Sequence, residues 1–357
     1  MCLRSVPSRA FRLPRPTRVL LGSLALGLAA CGAEPDLVIY VSLDQVFSDE
    51  LVAEFEAETG LEVRAEYDVE ANKTVGLVRR IIEESNNPRC DVYWNNEVAQ
   101  TVRLAEIGLL EAYDSPSAAD IPELFRDPER TWTGFAARAR CLIVNTDLVP
   151  DPSVVEGMWD LLDEQWHGRA SVARPLTGTT LTHAAATFLT LPEEEARRYW
   201  STIAEGQFDD PPLVNVTAGN GPVASMVAEG QHAWGWTDTD DFNVKREQGY
   251  PVACVFPDQT PAEGAERPLG TLLIPNTVAI VKGSRNPQNA RRFVDWVLSK
   301  KVEERLAFAR SAQIPVRPDV PRPEHVRTDF HAMQVSYTAI GMQIARRTEE
   351  LGEMFLR

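Results

Sequence analysis

The chain has 357 residues, of which 44% are apolar, and its formal net charge is −16. This length fits two domains or one large domain, and the apolar fraction is sufficient for a sizeable core. Because a strongly acidic surface repels a phosphate backbone, the charge argues against a nucleic-acid partner and is only mildly permissive for a cationic ligand. The same charge is also typical of a solvated surface with no ligand at all.

The first thirty residues differ from the rest of the chain. A basic lead without acidic residues precedes the apolar run VLLGSLALGLAA at 19–30, which is short for a membrane span but suits a signal-peptide core. The run ends in LAAC, which resembles a bacterial lipoprotein box. We therefore predict a lipoprotein signal peptide at 1–30, lipidation at Cys31, a tether at 31–35, and lipid anchoring at the periplasmic face of a bacterial membrane. An ordinary signal peptide with an incidental cysteine is the alternative.

The remaining cysteines do not indicate a scaffold or a metal site. Cys90, Cys141 and Cys254 lie far apart in the sequence, with no C-x-x-C spacing. They allow one disulfide at most, and we expect them to be buried as small apolar residues.

Strand and helix patterns alternate along the chain from Leu37. The first series ends in a helix near Gly108, and its predicted elements are 37–42, 48–60, 61–67, 73–85 and 91–95. The second series comprises 139–146, 158–175, 179–190, 193–204, 221–230, 232–237, 240–249 and 251–258. Such alternation implies a mostly parallel sheet covered by helices on both faces. After a polar loop, a strand at 271–284 and a helix at 286–299 follow, and the last forty residues indicate a helical tail.

Three later segments carry a resemblance to a known family: WDLLDEQWHGR (159–169), IPNTVAIVKGSRNPQNARRFVDWVLS (274–299) and SAQIPVRP (311–318). In this order and after a lipoprotein box, they resemble the bacterial extracellular solute-binding proteins of ABC importers, most closely the ferric-iron-binding branch. The resemblance implies a type II periplasmic-binding-protein fold, α/β, with two lobes that are each a mixed, mostly parallel sheet flanked by helices. The implied division is an N-lobe of 36–137 plus 270–317, a C-lobe of 138–269 and a helical tail of 318–357 packed on the lobes. It also implies a ligand in the cleft between the lobes, a monomer, and a membrane permease as partner.

Polar residues follow several predicted strands, at the edge where ligands of open α/β sheets bind. These stretches are SLDQ after the first strand, NNE after the third, PLTGTT in the middle of the chain, and TDTDD after the strand at 232–237. TGTT offers hydroxyls and a helix start, which suits an anion. TGTT is equally suited to capping the helix that it precedes, and for TDTDD capping is a compatible second role. Arg138 and Arg140 correspond to an R-x-R pair of the family.

The resemblance also implies ligand positions. Ferric-binding relatives hold the metal with a histidine or other polar residue after the first strand, an acid after the third, and two adjacent tyrosines, with a small anion. Here Asp44 takes the histidine's place and Asn96 the acid's, with Glu97 beside it. Thr239 and Asp240 stand where the tyrosines would be, and Asn220 matches an asparagine near the anion.

The absence of the tyrosines leaves carboxylates as the candidate metal ligands: Asp44, Glu97, Asp238 and Asp240. Hard oxygen donors suit Fe³⁺ or Ca²⁺. We expect transport of ferric iron with a small synergistic anion and no resident cofactor, and the alternative is an oxyanion or a small polar organic solute. The full set of predicted ligand-binding residues is Ser42, Asp44, Asn95, Asn96, Glu97, Arg138, Thr177, Gly178, Thr179, Asn220, Thr237, Asp238, Thr239 and Asp240.

Two other classes of function compete with solute binding. An enzyme is disfavoured because the chain has no G-x-S-x-G or H-E-x-x-H motif, and its five histidines do not cluster. A lipid-anchored adhesion or structural protein would need no cleft. We therefore predict a binding protein without catalytic activity.

Overall fold

The computed structural model describes residues 34–43, 45–68, 76–261 and 266–356. The predictions at 1–33, which include lipidation of Cys31, lie outside the described residues, and so does Asp44. Among the described helices, none combines the length and the apolar character that a bilayer span requires.

The first part of the chain follows the predicted alternation. Its elements are β1 (Leu37–Val41), α1 (Gln45–Thr59), β2 (Val63–Tyr67), α2 (Gly76–Glu83), β3 (Val92–Asn95), α3 (Ala99–Glu106) and β4 (Leu110–Glu111). Strand β1 is completely buried because its five residues, LVIYV, are all apolar or aromatic and are covered on both faces.

The second part contains a longer series. It comprises β5 (Thr133–Asn145), β6 (Ala170–Ala173), α4 (Gly178–Thr190), α5 (Glu193–Gly206), β7 (Asn215–Thr217), α6 (Asn220–Ala228), β8 (Trp234–Asp238), α7 (Thr239–Glu247) and β9 (Val252–Val255). The chain ends with β10 (Leu273–Val281), α8 (Pro287–Val297), α9 (Lys300–Phe308) and α10 (Tyr337–Phe355). Strand β5 begins at Thr133, well before the predicted start at residue 139. The sequence pattern did not reveal this early part because Gly134 and Arg138 interrupt the apolar run that a buried strand normally shows.

The strands form a mixed sheet in the order β2-β1-β3-β10-β5-β8-β6-β7, with β4 on β10 and β9 on β5. Pairs among β1, β2 and β3 and among β6, β7 and β8 are parallel. Every pair that involves β5 or β10 is antiparallel. The predicted parallel arrangement therefore holds at the two ends of the strand order, whereas the strands between them make the sheet mixed.

Strand β5 connects the two ends of this arrangement. Its first half pairs with β10, and its second half, from Arg140 to Asn145, pairs with β8 and β9. This topology belongs to the predicted type II periplasmic-binding-protein fold. The lobe boundaries given above stay a prediction.

The tail is helical only in its last part. Residues 318–336 contain no helix, and α10 follows them. On one side of α10, Gly341 lies so close to Val102 of α3 that an added Cβ would be 2.3 Å from that side chain. On another side, the Gln343 side chain donates to the Ala185 carbonyl of α4. Helix α10 is thus held against both α3 and α4.

Candidate functional site

A polar cavity of about 260 Å³ lies where the carboxyl ends of β6, β7 and β8 meet the amino ends of α4, α6 and α7. In open α/β sheets this is the edge at which ligands bind, because loops and helix amino ends converge there. The lining residues are Asn96, Arg138, Ala173, Arg174, Thr177, Gly178, Thr179, Thr180, Ala218, Gly219, Asn220, Gly221, Asp238, Asp240 and Asp241.

Asp238 is the last residue of β8 and occupies the cap position of α7, yet its side chain makes no capping bond. The carboxylate instead accepts hydrogen bonds from Arg140 at 2.7 Å, from Thr179 at 2.6 Å and from the Asn220 amide at 2.9 Å. These partners come from β5, α4 and α6. The Asp238 side chain therefore binds other residues of the cavity and does not cap the helix that it precedes.

Arg140 is a fully buried cation behind the cavity. Its Nη1 donates to Asp238, Thr179 and Asn220, whereas Nε and Nη2 have no hydrogen-bond partner among the described residues. Its guanidinium also lies over the Trp236 ring, 5.8 Å from the ring centre. A buried charge is tolerated only when it is paired, so Arg140 and Asp238 depend on each other.

His183 packs against the same tryptophan, with 4.7 Å between the ring centres. Burial and the nearby Arg140 lower the pKa of His183 to about 3. The imidazole is therefore neutral at physiological pH and adds no positive charge to the cluster.

The second buried arginine, Arg138, pairs with Asp240 at 3.1 Å. Arg138 and Arg140 share one face of β5 because alternate residues of a strand point the same way. Oxygens of Asp238, Asp240 and Asp241 lie within 4.8 Å of one another. Three carboxylates and two buried guanidinium groups thus form a compact cluster of mixed charge.

Helix α4 presents its amino end to the cavity. Thr177 is its cap residue but makes no side-chain capping bond, and Gly178 has a φ of +59°, a conformation that glycine adopts without strain. Backbone N–H groups at the start of a helix lack partners within the helix and favour negative charge. Arg174 adds an exposed cation at the rim and has no ion-pair partner among the described residues. This side of the cavity suits an anion.

The polar residues after β1 and β3 behave differently. The Glu97 carboxylate accepts from the backbone N–H groups of Ala99 and Gln100, from the Asn95 amide and from the Thr182 hydroxyl of α4. Burial raises the pKa of Glu97, and these hydrogen bonds oppose that shift. Glu97 therefore binds the first backbone N–H groups of α3 and does not line the cavity.

Ser42 is also engaged internally, because its hydroxyl is 3.4 Å from Asp68 and 3.3 Å from the Tyr93 hydroxyl. Asn96 is the exception on this side. It is buried, it lines the cavity, and its Oδ1 has no hydrogen-bond partner among the described residues.

The cavity brings together eight of the predicted ligand-binding residues: Asn96, Arg138, Thr177, Gly178, Thr179, Asn220, Asp238 and Asp240. Five others do not line it: Ser42, Asn95, Glu97, Thr237 and Thr239. The Thr239 hydroxyl accepts from the Ala139 N–H on the opposite side of α7, and Thr237 donates to Asp241. Of the predicted metal ligands, Asp238 and Asp240 lie together, and Asp241 rather than Glu97 is the third carboxylate beside them.

Four residues of the site with polar side chains are absent from the predicted ligand set: Arg140, Arg174, Thr180 and Asp241. The R-x-R spacing in a strand indicates Arg140, because residues two apart share a face. Nothing in the local sequence distinguishes Arg174 from any other exposed arginine.

Comparisons with known proteins establish the family of the chain. Residues 50–334 match the model of the family described as bacterial extracellular solute-binding protein. The chain belongs to this family. It is thus a solute-binding protein of an ABC importer, and the members of its family are binding proteins rather than enzymes.

Among curated relatives, the chain is 26% identical to the iron uptake protein A1 of Synechocystis sp., with 94% of each chain covered. Among solved structures, the ferric binding protein from Campylobacter jejuni has a TM-score of 0.77 at 22% identity, covering 89% of this chain and 99% of that one. The periplasmic binding protein AfuA from Actinobacillus pleuropneumoniae, with fructose-6-phosphate bound, has a TM-score of 0.74 at 23% identity, covering 90% and 98%. At these identities the structural likeness establishes the fold alone.

Proposed function

We propose that the chain captures ferric iron together with a small anion in the polar cavity and delivers both to an ABC permease. The observation that carries this proposal is the juxtaposition of three carboxylates with two buried arginines and the amino end of α4. The carboxylates would hold the metal, and the arginines with Thr177, Thr179 and Asn220 would hold the anion. The names of the iron-binding relatives support the same cargo.

The charges of the cluster explain why an anion would be needed. Three carboxylates and two guanidinium groups leave a formal charge of −1 before the cargo binds. A trivalent ion alone would reverse this charge to +2 in a buried place, where an uncompensated charge is costly. An anion with two negative charges restores neutrality.

The second candidate cargo is a small organic solute with an oxyanion group. It is favoured by the two Arg–Asp ion pairs, because Asp238 and Asp240 already have cationic partners. Two further observations favour an organic oxyanion: the tyrosine pair of the iron-binding relatives is missing here, and AfuA has fructose-6-phosphate bound.

Calorimetry and native mass spectrometry on metal-free protein separate the two candidates. We expect uptake of Fe³⁺ in the presence of citrate or phosphate, weaker uptake without them, and no visible charge-transfer band because no tyrosinate is available. Asp240→Ala should weaken this uptake, whereas Asp209→Ala, which changes an exposed acid outside the cavity, should not. If Fe³⁺, Ca²⁺ and Mn²⁺ all fail to bind while fructose-6-phosphate binds, the organic solute is the cargo.

We also propose that the protein is anchored at the periplasmic face of the membrane by lipid on Cys31. One acyl chain binds a membrane only weakly, so multiple acylation is expected. Cys31→Ser should move the protein to the soluble fraction, and retention in the membrane would place the anchor elsewhere.

A monomer whose lobes close on the cargo is the remaining element of the proposal, with lobes at 36–137 plus 270–317 and at 138–269. Hinge closure of this kind makes a protein more compact. Small-angle scattering should give the mass of one chain and a smaller radius of gyration with cargo. An unchanged radius at saturation would contradict closure.

A further inference from the structure

A second cavity, of about 230 Å³, lies on the side of α7 opposite the polar cavity. Helix α7 separates the two, because Thr239, Phe242, Asn243 and Arg246 line the second cavity whereas Asp240 and Asp241 line the first. The four residues follow the i, i+3, i+4, i+7 spacing of a single helix face.

Most of the wall of this second cavity is apolar, although Thr239 and Asn243 also line it. Its walls are formed by Phe242, Cys254, Phe256, Ala312, Ile314 and Val326. Phe256, Ala312, Ile314 and Val326 belong to one small buried cluster that is separate from the main core. An apolar cavity of about 150 Å³ suffices for a benzene ring, so the space here admits a single ring or a short branched chain.

The mouth of the cavity is basic. Arg246 lines it and has no ion-pair partner among the described residues, and the exposed His325 and Arg327 lie beside it. Arg327 pairs with Asp329 and also lies over the Phe256 ring. In a chain of net charge −16, an arginine without an acidic partner at an apolar cavity favours an anionic group on an apolar body.

Ala312, on the cavity wall, has a φ of +45°, which is uncommon for a residue with a side chain. The neighbouring Ile314 exchanges two backbone hydrogen bonds with Ala137 of β5, next to Arg138. Backbone held in such a conformation costs free energy and is found preferentially near binding sites.

From the apolar walls and the unpaired cation at the mouth, we propose that the cavity is a second binding site for a small carboxylic acid with an apolar body. Arg246 would pair with the carboxylate, and Phe242, Phe256 and Val326 would surround the body. Helix α7 carries Asp240, and Ile314 is hydrogen-bonded to β5, which carries Arg138. Occupancy of this site would therefore act on the polar cavity through these two rigid elements. The site is independent of the identity of the cargo.

Cys254 provides a reporter for occupancy. It lines the cavity and is half-buried, whereas Cys90 and Cys141 are fully buried. The full-length protein would be alkylated with N-ethylmaleimide in the presence of benzoate, benzyl alcohol or benzylamine, and the reaction at Cys254 followed by peptide mass spectrometry. We expect benzoate to slow alkylation of Cys254 at concentrations at which benzyl alcohol and benzylamine do not.

Arg246→Gln should raise the benzoate concentration for half-protection about tenfold, the effect of losing one charged hydrogen bond. Arg292→Gln, which removes the same charge from an exposed arginine that does not line the cavity, should leave it unchanged. Saturation-transfer NMR of benzoate with both variants measures occupancy without the thiol. Equal binding of benzyl alcohol, an unchanged Arg246→Gln variant, or no binding of benzoate by NMR would each overturn the proposal.

Discussion

The two sides of the polar cavity carry similar sequence signals and use them differently. After β8 and at the start of α4, polar side chains bond to one another across the cavity from four different elements. After β3, the Glu97 oxygens accept hydrogen bonds from the first backbone N–H groups of α3 and from the Thr182 hydroxyl. A polar residue at the carboxyl end of a strand is therefore available to a ligand only if the local backbone does not use it first.

Asp238 provides the strongest test of this difference. Asp238→Ala would leave Arg140 buried without its carboxylate, and breaking such a pair costs about 3–5 kcal/mol of stability. Cargo affinity should fall roughly a hundredfold or more for the same reason. Denaturant unfolding and calorimetry measure the two effects. The double variant Arg140→Gln, Asp238→Asn should lose less stability than the single substitutions summed, and wild-type stability of Asp238→Ala would refute the interdependence.

The neighbouring acids should differ from each other. Asp240 is buried and paired with Arg138, whereas Asp241 is half-buried and accepts from the Thr237 hydroxyl. We expect Asp240→Ala to weaken cargo binding by about tenfold or more and Asp241→Ala by only a few fold. Titration calorimetry of both variants measures the ratio. A larger effect of Asp241→Ala would transfer the principal role to that residue.

Two threonines one turn apart on α4 offer a matched comparison of the two sides. Thr179 donates to Asp238, and Thr182 donates to Glu97. Thr179→Val should weaken cargo binding about tenfold, whereas Thr182→Val should leave it within twofold and cost about 1 kcal/mol of stability. Cargo titrations and chemical unfolding distinguish them. If Thr182→Val impaired binding as strongly, Glu97 would be acting on the cargo.

The smallest expected effect on binding is that of Glu97→Gln. Burial raises the pKa of Glu97 above its usual value of 4.5, so the folded state holds this proton more tightly than the unfolded chain does. The contribution to stability is therefore greatest below about pH 4.5 and is lost as the pH rises through the folded-state pKa. Glu97→Gln should flatten this part of the stability profile, measured by denaturant unfolding at a series of pH values. The cargo affinity of this variant should stay within twofold of wild type. A large loss of affinity would mean that Glu97 contributes to cargo binding.

The sequence by itself predicted the alternation of strands and helices, and the resemblance carried by its later segments implied the type of fold. The alternation follows from apolar periodicity and turn residues, and the expected place of a ligand follows from the rule that loops converge at the carboxyl ends of strands, all of which are local or topological. Eight of the predicted ligand-binding residues, some of them placed by the family resemblance, line the cavity.

Only the tertiary structure decided which polar groups remain available there. Arg140 and Asp238 are hydrogen-bonded although they are 98 positions apart in the sequence, and Thr182 and Glu97 are hydrogen-bonded although they are 85 positions apart. Thr239 faces away from the cavity because α7 turns by about 100° for each residue, which carries adjacent residues to different faces. A hydrogen-bonding group is satisfied by whatever the fold places within about 3 Å of it, and the local sequence does not contain that information.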